Sequence, residues 1–290
     1  MPVSLAESYA FCRSIARTRA RNFYYSFILL KRERKDAMCA MYAFMRFCDD
    51  LSDDPGQSDA ATAIDRWREE LTRSLDGHFS DNPVWPAFHD SVRRHKIPHQ
   101  YFFDMIEGVG SDVQPRRMET FDELYRYCYQ VASVVGLTTV HIFGFKSPEA
   151  LPLAEKCGIA FQLTNILRDI AEDAAAGRVY LPAEDLRRFG AVVTRRDQAF
   201  LRLMRFEADR AKAYYAEAAP LVAMIDSDSQ SAMWALIEIY RRLLAHIERS
   251  GFDVLNRRIR VPAWEKVLIL LRSARGARPP RPTPTNQPSP

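Results

Sequence analysis

Phe161-Gln162-Leu163-Thr164-Asn165-Ile166-Leu167-Arg168-Asp169-Ile170-Ala171-Glu172-Asp173 contains neither Gly nor Pro, and its periodicity predicts a helix. Ile159, Gln162, Ile166, Asp169 and Asp173 follow one another at steps of three, four, three and four, which places them on one helix face. The lower half of that face is apolar and suits a core. The upper half carries carboxylates and amides. Carboxylates that face inward are costly unless a cation pairs with them, and a hard divalent ion such as Mg²⁺ suits oxygen ligands one turn apart.

A second stretch has the same design. Met38, Tyr42, Met45, Asp49 and Asp53 step by four, three, four and four, with Arg46 one turn before Asp49. One DxxxD pair on a helix is usually a solvated face. Two pairs, each continuing an apolar seam, are a different matter. They give four carboxylates, Asp49, Asp53, Asp169 and Asp173, around a shared space, with Arg46 and Arg168 beside them. Because Mg²⁺ is commonly held by a few carboxylates plus substrate phosphates, the constellation fits a diphosphate bridged to protein through the ion. Asp50 and Asp54 lie on a neighbouring face and read as ordinary surface acids.

The remaining segments are helical as well, and no convincing period-two run occurs. Helices are expected over residues 4–20, 32–53, 60–79, 82–95, 97–109, 120–143, 148–175, 182–190, 194–226, 228–250 and 262–271. The prediction is an all-α protein of roughly ten helices around a central cavity, in a single domain over residues 1–274. Residues 275–290 are rich in Pro and Arg and are expected to be a disordered tail. Within 120–143 the run Val131-Ala132-Ser133-Val134-Val135-Gly136 is small and apolar. Small side chains leave room beside a helix, either for another helix or for a ligand.

Composition sets bounds. The 290 residues are 47% hydrophobic and 27% charged, with a net charge of +4, ordinary for a soluble globular chain. No apolar run approaches a membrane span of roughly 18 residues, and the first residues lack the pattern of a signal peptide; the expected location is the cytoplasm. Cys12, Cys39, Cys48, Cys128 and Cys157 are scattered without CxxC spacing and are expected to be reduced core thiols. Nucleic acid is not expected, since only the short tail is visibly basic. That tail suits peripheral contact with an anionic membrane surface.

Tyr42-Ala43-Phe44-Met45-Arg46-Phe47-Cys48-Asp49-Asp50-Leu51-Ser52-Asp53 and Gln162 to Asp173, the latter followed by Gly177-Arg178-Val179-Tyr180-Leu181-Pro182, resemble the two signatures of the squalene/phytoene synthase family. The likeness runs from about Tyr9 to Leu271. It implies the isoprenoid synthase fold, with the DxxxD pairs facing each other at one mouth of the cavity. It further implies head-to-head condensation of two prenyl diphosphates through a cyclopropyl diphosphate (presqualene or prephytoene diphosphate), in hopanoid or carotenoid biosynthesis. Reduction by NADPH would give squalene, and proton loss would give phytoene or dehydrosqualene; the chain carries no Gly-rich dinucleotide fingerprint, but the family needs none. The implied metal is Mg²⁺, with Mn²⁺ as the alternative ion, on Asp49, Asp53, Asp169 and Asp173. Tyr42, Arg46, Tyr127, Arg168 and Tyr180 match catalytic positions. Arg19, Arg21, Asn22, Phe23, Gln162, Asn165, Tyr240 and Arg257 match substrate-binding positions, Arg257 by spacing alone. Val131, Ala132, Val135 and Gly136 match the wall of the prenyl pocket, at a kink in the helix. Asn22 and Ser133 depart from the family's usual Ser and Gly, and Lys31 from its Pro. Ser133 leans the expectation toward a tighter pocket and C15 substrates. A monomer is expected. Competing readings are a terpene cyclase or chain-elongating synthase of the same fold, and a helical assembly protein that has lost catalysis.

Overall fold

In the computed structural model, residues 3–19, 23–53, 60–113 and 117–274 are described, without the side chains of Phe23, Ser52 and Asp53. Among the described residues there is no strand; two isolated bridges, Arg117 with Val179 and Phe145 with Ile225, tie loops together. The helices in chain order are α1 (Leu5–Arg19), α2 (Phe23–Phe27), α3 (Arg32–Asp53), α4 (Ala60–Leu75), α5 (Trp85–His95), α6 (Gln100–Gly110), α7 (Phe121–Cys128), a π-helical turn (Tyr129–Ser133), α8 (Val134–Phe143), α9 (Ala150–Ala175), α10 (Ala183–Phe189), α11 (Gln198–Glu217), α12 (Leu221–Met224), α13 (Ser227–Arg249) and α14 (Ala263–Ala274).

The count exceeds the roughly ten expected because of short pieces and breaks. The helix expected over 194–226 stops at Glu217, and Pro220 heads the separate α12. Proline has no N–H to continue the ladder and its ring clashes with the preceding turn. The helix expected to reach residue 79 ends at Leu75, where Gly77 takes φ 85°, a conformation that favours glycine. α5 begins at Trp85, not at Asn82, because Asn82 Oδ1 instead accepts the Val84 N–H at 3.1 Å to form a turn.

The two signature helices, α3 and α9, organise the rest. α9 is buried along most of its length and packs against α7, α8, α11, α12, α13 and the π-turn. α3 packs against α1, α4, α5, α6 and α8. One side of α3 is fixed by an aromatic cluster: Phe44 lies 4.6 Å from Phe88 and 5.5 Å from Phe102, and Trp67 lies 4.5 Å from Trp85, between ring centroids. Such pairs add to the area they bury, so this side is a rigid outer core. The other side of α3, with Met38, Met41, Tyr42, Met45 and Asp49, faces a cavity.

The chain from α7 to α8 forms the opposite wall. Thr120 caps α7 by accepting the Glu123 N–H at 3.3 Å, and Glu123 Oε2 accepts the Glu119 N–H at 2.8 Å, close to a reciprocal capping box. The expected kink is the π-turn Tyr129–Ser133. A π-turn adds a residue per turn and bends the helix. It fits because both neighbours lack side chains where they touch it. A Cβ on Gly108 of α6 would lie 2.8 Å from Val131 Cγ1, and one on Gly158 of α9 would lie 2.5 Å from Ser133 Cα.

Candidate active site

Beneath the carboxylate ends of α3 and α9 lies a cavity of about 370 Å³. Along α9 its lining runs from Ala154 up to Asp173, roughly 28 Å at 1.5 Å per residue. The deep part is apolar, with Phe27, Met38, Met41, Leu221, Met233 and Leu236. The mouth is polar, with Asp49, Asp112, Gln162, Asn165, Asp169 and Asp173. The heptad-like spacing of both signatures does this directly: one face of each helix begins apolar in the cavity and ends in carboxylates at its rim.

Most residues singled out from the sequence converge here. Tyr42, Tyr127, Tyr180, Gln162, Asn165, Tyr240, Val131, Ala132, Val135 and Gly136 line the cavity with Asp49, Asp169 and Asp173. Tyr240 stacks on Phe161 with centroids 4.1 Å apart and planes 9° apart. Ser133 and Val134 turn away from it. The Ser133 hydroxyl is fully buried and donates to the Glu155 carbonyl on α9 at 2.9 Å, so it does not narrow the cavity. This removes the reason for leaning toward C15.

The arginines sit around the rim. Arg168 spans the Asp169 carboxylate with two bonds, from Nε to Oδ1 at 2.8 Å and from Nη2 to Oδ2. Arg46 donates to Asp50, and Arg19 Nη1 reaches the same carboxylate at 2.7 Å. Asp50 is therefore more than a surface acid: it holds two of the expected arginines together. Arg257 points elsewhere. It is 62% exposed and pairs with Asp253 at 3.1 Å. Its neighbour Arg258 is the one that reaches the second signature, 3.2 Å from Asp169 Oδ1 and 2.8 Å from Glu172 Oε2. The 253–262 segment has no periodicity to fix which of its arginines turns toward the second signature. Arg21, Asn22, Asp54 and residues 275–290 lie outside the described residues, as do the side chains of Phe23 and Asp53.

Asp112 is the residue that sequence reasoning missed. It follows α6 and accepts from Tyr127 Oη at 2.7 Å and from Tyr180 Oη at 2.9 Å. The two phenol rings stack with centroids 4.8 Å apart. Burial, then the Asp112 charge, raises the Tyr127 phenol well above its ordinary pKa, and the same two causes raise that of Tyr180. Both hydroxyls therefore keep their protons at neutral pH and act as donors. Tyr180 arrives because α9 ends sharply: Gly177 takes φ 74° and the Arg178 N–H returns to the Asp173 carbonyl at 2.8 Å, which turns the chain back over the mouth.

The electrostatics suit a cation. Burial, then Asp169, then Asp112 and Glu172, raise the Asp173 pKa to about 7 against the opposing pull of Arg178. Asp49, Asp112, Asp169 and Asp173 crowd a partly buried mouth. Asn165 Oδ1, a further hard oxygen at the same place, is buried without a hydrogen-bond partner, and so is Arg46 Nε on the rim. No group of three or more His, Cys, Asp or Glu among the described residues is already drawn together around a metal position, but the donor types are those of a hard divalent ion with phosphate.

Comparison with known proteins agrees with this geometry. The squalene/phytoene synthase family matches residues 16–265. The phytoene synthase of Arthrospira platensis is 36% identical over 288 residues, covering 93% of each chain. A crystal structure of a dehydrosqualene synthase superposes with a TM-score of 0.86 at 29% identity, covering 93% of this chain and 96% of that one. The squalene synthase HpnC of Alicyclobacillus acidocaldarius superposes with a TM-score of 0.80 at 29% identity, covering 87% and 97%. The fold is that of the isoprenoid synthases. The chain belongs to the squalene/phytoene synthase family of prenyltransferases, which condense prenyl diphosphates head to head.

Proposed function

We propose that the substrate is a C20 prenyl diphosphate, geranylgeranyl diphosphate, that two molecules condense to phytoene through prephytoene diphosphate, and that the reaction depends on Mg²⁺. The observation that carries the reading is the polar rim of Asp49, Asp169, Asp173 and Asn165 directly above a long apolar cavity: a diphosphate belongs in the first and a prenyl chain in the second. The C20 length is supported by phytoene synthases among the relatives at 36% identity over more than nine-tenths of the chain.

Asp49, Asp169 and Asp173, with Asp53 of the same signature, are the residues that would hold Mg²⁺, with the phosphate oxygens completing its shell. When bound, the ion neutralises charge that grows on the departing diphosphate. Arg46 and Arg168 add cationic donors at the rim; a guanidinium can grip phosphate oxygens with two parallel bonds. Asn165 and Gln162 orient the headgroup from the α9 face. Once the diphosphate leaves, an allylic cation remains and must be kept from water. The apolar walls exclude water, and the faces of Phe161, Tyr42 and Tyr127 stabilise positive charge. Its C1 then bonds to the C2–C3 double bond of the second molecule, and loss of a proton closes the cyclopropane. Asp112 holds the Tyr127 and Tyr180 hydroxyls in the cavity lining, where each can accept a hydrogen bond or pass a proton.

The test is to offer the purified chain geranylgeranyl and farnesyl diphosphate in competition, with Mg²⁺ and with or without NADPH, and to identify products by mass. A C40 hydrocarbon formed without NADPH is expected. A C30 product in the presence of both substrates would overturn the chain length.

A further inference from the structure

The last helix uses only one side for packing. Ile269 of α14 is buried against Ala235 and Ile239 of α13. The Ser273 hydroxyl donates to the Ser231 carbonyl at 2.6 Å, and the Ser231 hydroxyl donates to the Ser273 carbonyl at 3.1 Å. The outer side presents Trp264 at 63% exposure with Val267, Leu268 and Leu271. Steps of three, one and three put these four on one face. Eight large apolar side chains are exposed among the described residues, and half of them are on this helix. Single exposed apolar residues are ordinary, but a contiguous stripe marks a contact surface.

The charge around the stripe says what it contacts. From Val254 to Pro290 the sequence has eight Arg and Lys and one acid, Glu265. Glu265 is engaged by His246 at 3.0 Å, and Arg257 and Arg258 by Asp253, Asp169 and Glu172. Arg260, Lys266 and Arg272 lie beside or within α14, and Arg275, Arg278 and Arg281 follow it in sequence. An apolar face flanked by basic residues is the make-up of a helix that lies in the membrane interface, and clustered basic residues are drawn to anionic headgroups.

We propose that α14 docks flat on an anionic lipid bilayer, with Trp264, Val267, Leu268 and Leu271 in the interface and Arg260, Lys266 and Arg272 over the headgroups. If the product is the hydrocarbon proposed above, docking gives it an apolar phase to enter; the docking itself requires no turnover, so its test stands apart from that of the reaction.

The experiment is sedimentation of the full chain with vesicles of equal parts phosphatidylcholine and phosphatidylglycerol, and with vesicles of phosphatidylcholine alone. Binding to the anionic vesicles, weakened by salt, is expected. The triple variant Trp264→Ser, Leu268→Ser, Leu271→Ser should bind them weaker on the order of 100-fold, while keeping its circular dichroism and its activity in detergent. Should that variant fail to fold, the conservative variant Trp264→Phe gives the answer: Trp67 and Trp85 are buried and Trp234 is half-buried, so brominated anionic lipid should quench the emission of the unaltered chain and quench that of Trp264→Phe markedly less. Equal binding of the triple variant and the unaltered chain, absence of binding to anionic vesicles, or no quenching would overturn the proposal. So would a dimer in light scattering that the triple variant splits, because a second copy would then be covering the stripe.

Discussion

At the scale of single residues, the site is a problem of too many carboxylates in too little water. Asp173 shows it most clearly. Its carboxyl is raised to about 7 by burial and by Asp169, whereas in the unfolded chain it would titrate near 3.8. Between about pH 4 and pH 7 the folded state therefore holds a proton that the unfolded state releases, and stability falls as pH rises through that window. Asp173→Asn should raise the melting temperature of the EDTA-treated protein at pH 8 by a few degrees and flatten its dependence on pH, as scanning calorimetry would record. Asp112 makes a different prediction. Asn in its place can still accept one phenol hydrogen but turns an N–H₂ toward the other. An unsatisfied buried donor costs about 1–3 kcal/mol, so Asp112→Asn should lower kcat by about tenfold or more with KM little changed, measured by steady-state product formation. The carboxylates of the signatures were legible in the sequence because periodicity carried them. Asp112 was not, since it sits just beyond a helix end, and what recruits it is a pair of phenols from segments 15 and 68 residues away. The contact of Arg258 with Asp169 and Glu172 was not legible for the same reason: a loop has no period from which to read a direction.

At the scale of elements, the π-turn between α7 and α8 is the feature that shapes the wall. Its existence depends on glycines of two other helices, Gly108 and Gly158. A methyl at Gly158 would meet the backbone of Ser133 at 2.5 Å, and backbone cannot step aside as a side chain can. Gly158→Ala should destabilise the protein by about 3 kcal/mol, as seen in denaturant unfolding. The small residues of the wall also separate into two kinds. Gly136 is pressed to α9, with its missing Cβ 3.0 Å from the Ala154 carbonyl, so a large residue there would disturb packing. Ala132 is partly buried and lines the cavity. Ala132→Phe should therefore reduce turnover of geranylgeranyl diphosphate more than that of farnesyl diphosphate, in parallel assays of both. Equal losses would mean that the wall sets structure and not chain length. The sequence showed that small residues leave space, but the same composition serves helix contact and ligand contact, and only the neighbours decide which.

At the scale of the whole molecule, helix content and the pairing of two signature helices were readable because each carries its own amphipathic period. The breaks at Pro220 and Gly77 follow from the backbone chemistry of those two residues, but the shape of the space the helices enclose depends on contacts between distant segments and was not readable. The central claim is that α3 and α9 supply two halves of one site for a metal-bridged diphosphate. It is tested most directly by Asp49→Asn and Asp169→Asn, one variant from each helix, assayed for diphosphate release and hydrocarbon formation from geranylgeranyl diphosphate with Mg²⁺ and with EDTA. Each substitution should leave the helical circular dichroism intact and lower turnover by at least about 100-fold, and EDTA should abolish turnover of the unaltered chain. Turnover that survives either substitution, or that persists in EDTA, would contradict the account.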